Sequence, residues 1–530
     1  MLKSKLLIVC CFFFTLVKAQ EQDRVQLLHA DFLEYDEAAM GPFKRLVGNV
    51  AFQHDSVVLD CDSAHFFSEQ NYVEAYSHVY IRQGDSLRLY GDLLKYFGDT
   101  RKAELYTNVR LIKGNTTMTT DRLDYDMNTD VASYNSGARI VDRSESIKPL
   151  SEPKRKVNTA SNKVSENVLT SRTGYFYSRE NLLFFRKDVV LTNPDYVLLS
   201  DTLKYSTTSN TAFFYGPTTV TGKTSFIYAE SGWYDTGRDI ADLNKNSFVR
   251  SGAQKIWGET IHYERLLGTA RAMGDIVMHD TVQNVYITGM YGFSDEQKDS
   301  ALVTGKAMLV QVLDGDTLFL HGDTLAVMRD SLSKALRLTG DSAKKVLMAY
   351  HHVKMYKSDL QGKCDSLVYM LRDSMIHLFK APVIWSDVNQ LTAEHIRMQM
   401  ANNRMDKLYL DNSAFIVSQE DTARYSQIKG RDMTGFFEQD ELRRIHVEGN
   451  AQTIYFARDK VNKYIGVNRA EGAEIMIGMA DSKVQRINII QSPEATFYPV
   501  NELSPKELRL KDFIWRSVER PLQKGDIFTP

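Results

Sequence analysis

Asp60 and Asp62, and again Asp314 and Asp316, form acid pairs that could begin a calcium loop. Calcium needs roughly six to eight oxygen ligands drawn from a fixed, short register. No such run follows either pair, so both read as turn acids. His351 and His352 are adjacent, and adjacent strand residues point to opposite faces, which makes a shared metal ion hard to build. His321 and His377 have no Cys or His at zinc spacing. Ser-Asp pairs recur without a His at a matching position. Phosphate-loop, dinucleotide and Gly-x-Ser-x-Gly motifs are absent. A carbohydrate-active β-helix would need acids clustered on neighbouring turns, whereas the recurring acids here open successive segments. The expectation is a non-enzyme with no catalytic residue, no metal and no cofactor.

The recurring acids point to the architecture instead. Acid-x-apolar-x-aromatic appears at Asp31-x-Leu33-x-Tyr35, Asp62-x-Ala64-x-Phe66, Asp92-x-Leu94-x-Tyr96 and Asp121-x-Leu123-x-Tyr125. It returns at Asp201-x-Leu203-x-Tyr205, Glu259-x-Ile261-x-Tyr263 and Asp365-x-Leu367-x-Tyr369, with weaker copies at Glu230, Asp323, Glu394 and Asp432. The steps 31 to 62 to 92 to 121 are 31, 30 and 29 residues, and 201 to 230 to 259 are 29 each. Such a period marks a stacked array whose units bury their apolar faces only against neighbours. Period-2 alternation makes the units β. A second short strand follows each acid, as in Gly48–Phe52, His78–Arg82 and Asn108–Ile112.

Nearly the same decapeptide occurs twice, QGDSLRLYGD from Gln83 and DGDTLFLHGD from Asp314, 231 positions apart. Alternation changes phase at the second Gly-Asp, from Leu87 and Leu89 to Leu94 and Tyr96. A one-residue slip swaps a strand's faces, so a bulge or corner is expected there. The second copy resumes with Leu325 and Val327, without an aromatic residue. The stretch 143–167 lacks alternation and is rich in Ser, Lys, Glu and Pro. It reads as a linker or long exposed loop between arrays at 20–142 and 168–502. Residues 503–530 break the repeat and read as a cap or docking tail anchored by Phe513, Ile514 and Trp515.

The chain has 530 residues, 43% of them apolar and 25% charged. Tyr (27) and Phe (26) outweigh Pro (11), which suits pleated, half-buried surfaces. Residues 1–19 read as a signal peptide, with Lys3 and Lys5, an apolar run Leu6–Val17, and cleavage after Ala19. Lipid modification at Cys10 is the alternative. No other stretch approaches the 18 or so apolar residues of a helical span. Without Lys3, Lys5 and Lys18 the chain carries 62 basic and 67 acidic residues, a net of -5 that suggests no nucleic-acid partner. Cys61 and Cys364 read as buried free thiols.

His29-Ala-Asp31-x-Leu33-x-Tyr35, then Gly48-Asn49-Val50, then Leu89-x-Gly91-Asp92-x-Leu94-x-Tyr96 resemble the repeat of the OstA-like family, the LptA-type domain of lipopolysaccharide transport. The resemblance is best over 25–142 and continues more weakly to about 500, as in the larger members of Bacteroidetes-type bacteria. It implies an all-β, repetitive, twisted open β-jelly-roll, a β-solenoid of about 29–30-residue repeats. It also implies a protein of the periplasm, free or associated with the outer membrane, that shields lipopolysaccharide acyl chains in an apolar groove. Other transport components would be met through edge strands, and copies could stack head to tail. The candidate groove residues are Leu33, Tyr35, Leu94, Tyr96, Leu123, Tyr125, Leu203, Tyr205, Ile261, Tyr263, Leu367 and Tyr369. An interior row looks the same in sequence whether it lines an open trough or fills a closed core. The other reading is therefore a structural or adhesive β-solenoid that binds protein or glycan on its outer face.

Overall fold

A computed structural model describes residues 24–529 except 85, 146–163, 283, 314, 339–341, 402, 403, 440, 460, 481, 482 and 501. The signal peptide, Cys10 and Asp314 therefore lie outside the described residues. The regular structure is almost entirely antiparallel β. Two compact units divide it. The N-terminal unit holds the described residues up to 145 with 164–194 and Asp201–Asn210; the C-terminal unit holds 195–200 and the described residues from Thr211 on.

Compactness does not divide at 143–167. Strands Ala138–Glu145 and Val164–Ser171 pair antiparallel within the N-terminal unit, with Arg143 opposite Glu166. The residues between these strands lie outside the described ones.

The N-terminal unit is built from strands of 11 or 12 residues such as Val57–Phe67, Tyr72–Gln83, Leu87–Phe97 and Lys102–Lys113. Each is bent in its middle. In Leu87–Phe97 the buried positions are 87, 89 and 91, then 94 and 96, so the phase changes at Asp92 as the alternation requires. The bend is a bulge. Asp92 stands opposite Ser77–His78 on one neighbour and Thr107–Asn108 on the other, and all four have positive φ, between 47° and 61°.

The repeated acids are therefore not turn residues. Asp62 and Asp92 sit mid-strand, Asp31, Glu230 and Asp323 at the bend between two strands, and each holds the bulge of the adjoining strand. Asn49 donates to Asp31 at 2.8 Å, His78 lies 2.7 Å from Asp62, and Asn108 donates to Asp92 at 2.6 Å. In the C-terminal unit Asn246 donates to Glu230, and His352 lies 2.8 Å from Asp323. Left-handed backbone is unfavourable for most side chains. An acid that bonds the side chain of the left-handed residue offsets part of that cost. Where glycine supplies the conformation the acid closes in. A Cβ on Gly48 (φ +82°) would lie 2.4 Å from an Asp31 oxygen. His351 and His352 belong to the same device: both have positive φ, and each meets a different acid, Asp365 and Asp323.

Bending every strand at the same register creates two facing sheets. In the N-terminal unit the first contains 63–67, 72–76, 93–97 and 102–106; the second contains 57–61, 79–83, 87–91 and 109–113. The core lies between them, where Phe52 of the second sheet meets Phe66 of the first with ring centroids 5.3 Å apart. Cys61 and Cys364 are buried free thiols, and burial pushes both up to about 12.

Candidate functional site

The interior between the sheets is the candidate site. Its packing explains why the motif repeats every two strands. Along one interior row of the N-terminal unit the cross-strand neighbours are Phe66, Val73, Tyr96, Ala103, Tyr125, Ala132, Phe176 and Leu183. A tyrosine on one strand is flanked by alanine on the next, so the large ring lies over a small neighbour and the space fills. The adjacent row, Leu46, Ala64, Ala75, Leu94, Leu105 and Leu123, is likewise buried throughout.

The mouth of this interior, opposite the bulges, is held shut by polar groups that cross between the sheets. The Tyr96 hydroxyl lies 2.7 Å from His54 Nδ1. Tyr125 donates to Gln83 Oε1 at 2.9 Å and to Asp130. Tyr205 donates to Asp142 Oδ2 at 3.1 Å and accepts from Asn167, which in turn accepts from Asn193; Thr116 donates to the other Asp142 oxygen. Arg101 bridges to Asp55, and Lys113 donates to the Ser178 carbonyl. Burial raises the Asp142 carboxyl above its ordinary range, against the lowering effect of its two hydroxyl donors. Beside the Tyr96 latch only a cavity of about 10 Å³ remains, room for one water at most.

The candidate groove residues divide accordingly. Leu94, Tyr96, Leu123, Tyr125, Leu203, Tyr205, Ile261, Tyr263 and Leu367 are all under 5% exposed and fill core. Leu33 and Tyr35 are about half exposed, next to the first strands of the chain. Tyr369 is half-buried, for a local reason. Its flanking neighbours are Leu347 and Ile376 rather than alanines, and both are half-buried too. Neither Tyr369 nor Tyr455 has a hydrogen-bond partner for its hydroxyl among the described residues. The next cross-strand neighbours after Ile376, Met398 and Leu408, are buried again, while Met400, Phe437 and Leu442 are half-buried. Near its start the C-terminal unit still has such latches, Tyr234 donating to Asp239 at 2.8 Å and Tyr263 bonding Ser251, whereas around Tyr369 no tyrosine latch is present among the described residues.

The tail forms a second built feature. Residues 503–529 run across the outer face of the second sheet of the C-terminal unit. The cross-strand row beneath them reads Phe319, Tyr356, Gln361, Trp385, Gln390, Val417, Gln427, Ile454 and Arg469. Buried glutamines clamp the tail backbone. Gln427 bonds Leu508 O at 2.9 Å and Leu510 N at 2.8 Å; Gln390 bonds Ile514 O at 2.8 Å and Arg516 N at 2.6 Å. Further along, Arg520 donates to Gln361, Lys354 donates to Thr529, and Phe528 packs on His321. Glu519 meets Arg516 and Lys363, which hold it down at about 2. The anchors are Leu510 and Ile527, both buried, with Phe513 and Trp515 packed against Phe415, Val417, Ile454 and Phe456. Ile514, expected as an anchor, is 64% exposed because its carbonyl, not its side chain, faces Gln390.

Sequence reasoning missed the latch residues His54, Gln83 and Asp142. Two of them precede their tyrosine by 42 positions, a spacing that acquires meaning only once strands bend and sheets face each other. It also missed Gln361 and Gln390, whose 29-residue separation was the available signal. Among the described residues no group of three His, Cys, Asp or Glu side chains is placed to hold a metal ion, and no helix is long and apolar enough to cross a membrane.

Residues 22–153 match a family model described as OstA-like protein. No curated protein matches the chain. Among solved structures it is similar to LptH of Pseudomonas aeruginosa, the LptA homologous periplasmic component of the conserved lipopolysaccharide transport device. That similarity has 15% identity, covers 23% of this chain and 76% of that one, and has a TM-score of 0.18.

Proposed function

We propose, from its OstA-like N-terminal segment, that this chain is a periplasmic carrier that shields lipopolysaccharide acyl chains on their way to the outer membrane. The acyl chains enter the interior of the C-terminal unit around Tyr369, where the mouth has no tyrosine latch among the described residues. The observation that carries this reading is the half-buried apolar row of Leu347, Tyr369 and Ile376, with Met400 half-buried near the end of the next strand, where the filled, latched pattern of the N-terminal unit breaks down. Each acyl methylene buried there would gain about 0.8 kcal/mol, so a carrier needs apolar area and no nucleophile. Edge strands Gln26–His29 and Lys483–Ile490 offer unpaired backbone for other transport components or a second copy. Leu28, Phe32, Leu33 and Tyr35 are exposed beside the first of these edges.

Photo-crosslinking residues at positions 369 and 400 should capture lipopolysaccharide in cells, and one at 205 should not. Absence of an adduct at both 369 and 400 would refute the reading. The filled core of the N-terminal unit favours a second reading, in which that unit is a closed β-solenoid whose outer face binds protein or glycan. An adduct-free interior with binding retained outside would select it.

A further inference from the structure

The outer face of the second sheet differs in kind between the two units. In the C-terminal unit that face alternates apolar side chains such as Trp385, Val417 and Ile454 with buried glutamines and is covered by the chain's own tail. In the N-terminal unit it is bare and basic. Arg82, Arg88, Arg110 and Arg139 are all exposed there, and none of their guanidinium groups has an ion pair or hydrogen bond to another described residue. Arg82 stands directly opposite Arg88 on the neighbouring strand. Like charges in that position repel, and no described acid relieves them.

Beside this pair Arg110 stacks on Tyr90, its guanidinium carbon 4.5 Å from the ring centroid, and Tyr90 stacks on Tyr80. Stacking fixes the guanidinium plane while leaving its N–H edge free. Cross-strand order places Thr119 between Arg110 and Arg139, so the two arginines lie two strand spacings, roughly 10 Å, apart. Together with Asn108 and Asp121 they line an open cleft of about 560 Å³. Asn108 already donates to Asp92, whereas the Asp121 carboxylate has no hydrogen-bond partner among the described residues.

We infer that this cleft binds a phosphorylated oligosaccharide. Arginine forks suit phosphate oxygens bidentately, while Asp121 and Thr119 suit sugar hydroxyls. An acid in the cleft would count against a uniformly anionic ligand such as an acidic peptide. The choice of the phosphorylated sugar of lipopolysaccharide as occupant rests on the function proposed above. The face and its charge do not.

The test uses the full chain and four probes: the phosphorylated oligosaccharide left by deacylating lipopolysaccharide, its dephosphorylated form, inorganic phosphate, and polyglutamate. The first should bind, the second at least about tenfold more weakly, and the third should not compete at equal concentration. The double variant Arg110→Gln/Arg139→Gln should lose about tenfold or more in affinity with unchanged melting, since charge-assisted bonds are lost and no described partner is stranded. Arg110→Lys/Arg139→Lys should recover only part, because lysine lacks the fork. Unchanged affinity in the glutamine variant, equal competition by phosphate, or equal binding of polyglutamate would overturn the inference. The probe has no acyl chains, so its failure leaves acyl crosslinking at Tyr369 intact, and failure of that crosslinking leaves this result standing.

Discussion

Removing one hydroxyl group at Tyr205 and one at Tyr369 should have very unequal consequences. Tyr205 is fully buried, donates to the Asp142 carboxylate at 3.1 Å and accepts from Asn167 at 3.0 Å. Tyr205→Phe deletes both bonds. A hydrogen bond to a charged group contributes about 1.5–3 kcal/mol, and a neutral one about 0.5–1.5 kcal/mol. Burial leaves Asp142 with fewer donors in a place where water cannot replace them. The expected local cost is therefore about 2–4 kcal/mol. Tyr369 is half-buried and its hydroxyl has no partner among the described residues, so Tyr369→Phe should cost less than about 0.5 kcal/mol. Two compact units make a single unfolding free energy ill-defined, so the assay should be local. Hydrogen–deuterium exchange of the amides in 138–142 and 201–205 should accelerate by about thirtyfold or more in the first variant, following opening free energy. The corresponding amides in 366–370 should be unchanged in the second. Equal effects at the two sites would refute the distinction between a latched and an unlatched mouth.

Gln390→Ala removes both bonds to Ile514 and Arg516, and should weaken tail docking by about 2 kcal/mol; trypsin should then cut after Arg516 faster while the strands stay protected. Asp142 has a raised folded value, so its penalty is absent at pH below the ordinary carboxylate range and grows as pH rises through the folded value. Melting of the N-terminal unit should therefore show a fall across that window that Asp142→Asn abolishes, and an unchanged profile would argue against a buried charge.

The composition, the 29–31-residue steps and the phase change at Gly91-Asp92 determined an all-β repeat with a bend in each strand, because alternation and burial allow little else. They also identified which positions face inward, from Leu94 and Tyr96 through to Leu367 and Tyr369. What those inward residues do was decided by neighbours the sequence does not place beside them. Tyr96 is sealed because Ala103 and Val73 flank it and His54 meets its hydroxyl; Tyr369, in the same motif, is left half-buried because Leu347 and Ile376 flank it. The repeated acids were legible as a series but not as bulge holders, since their partners lie on the adjoining strand, as with Asp62 and His78 16 positions on. The tail was legible as a break in the repeat. Its path over Gln427, Gln390 and Gln361 was not, because a hydrogen bond between residues more than 80 positions apart leaves no periodic trace along the chain.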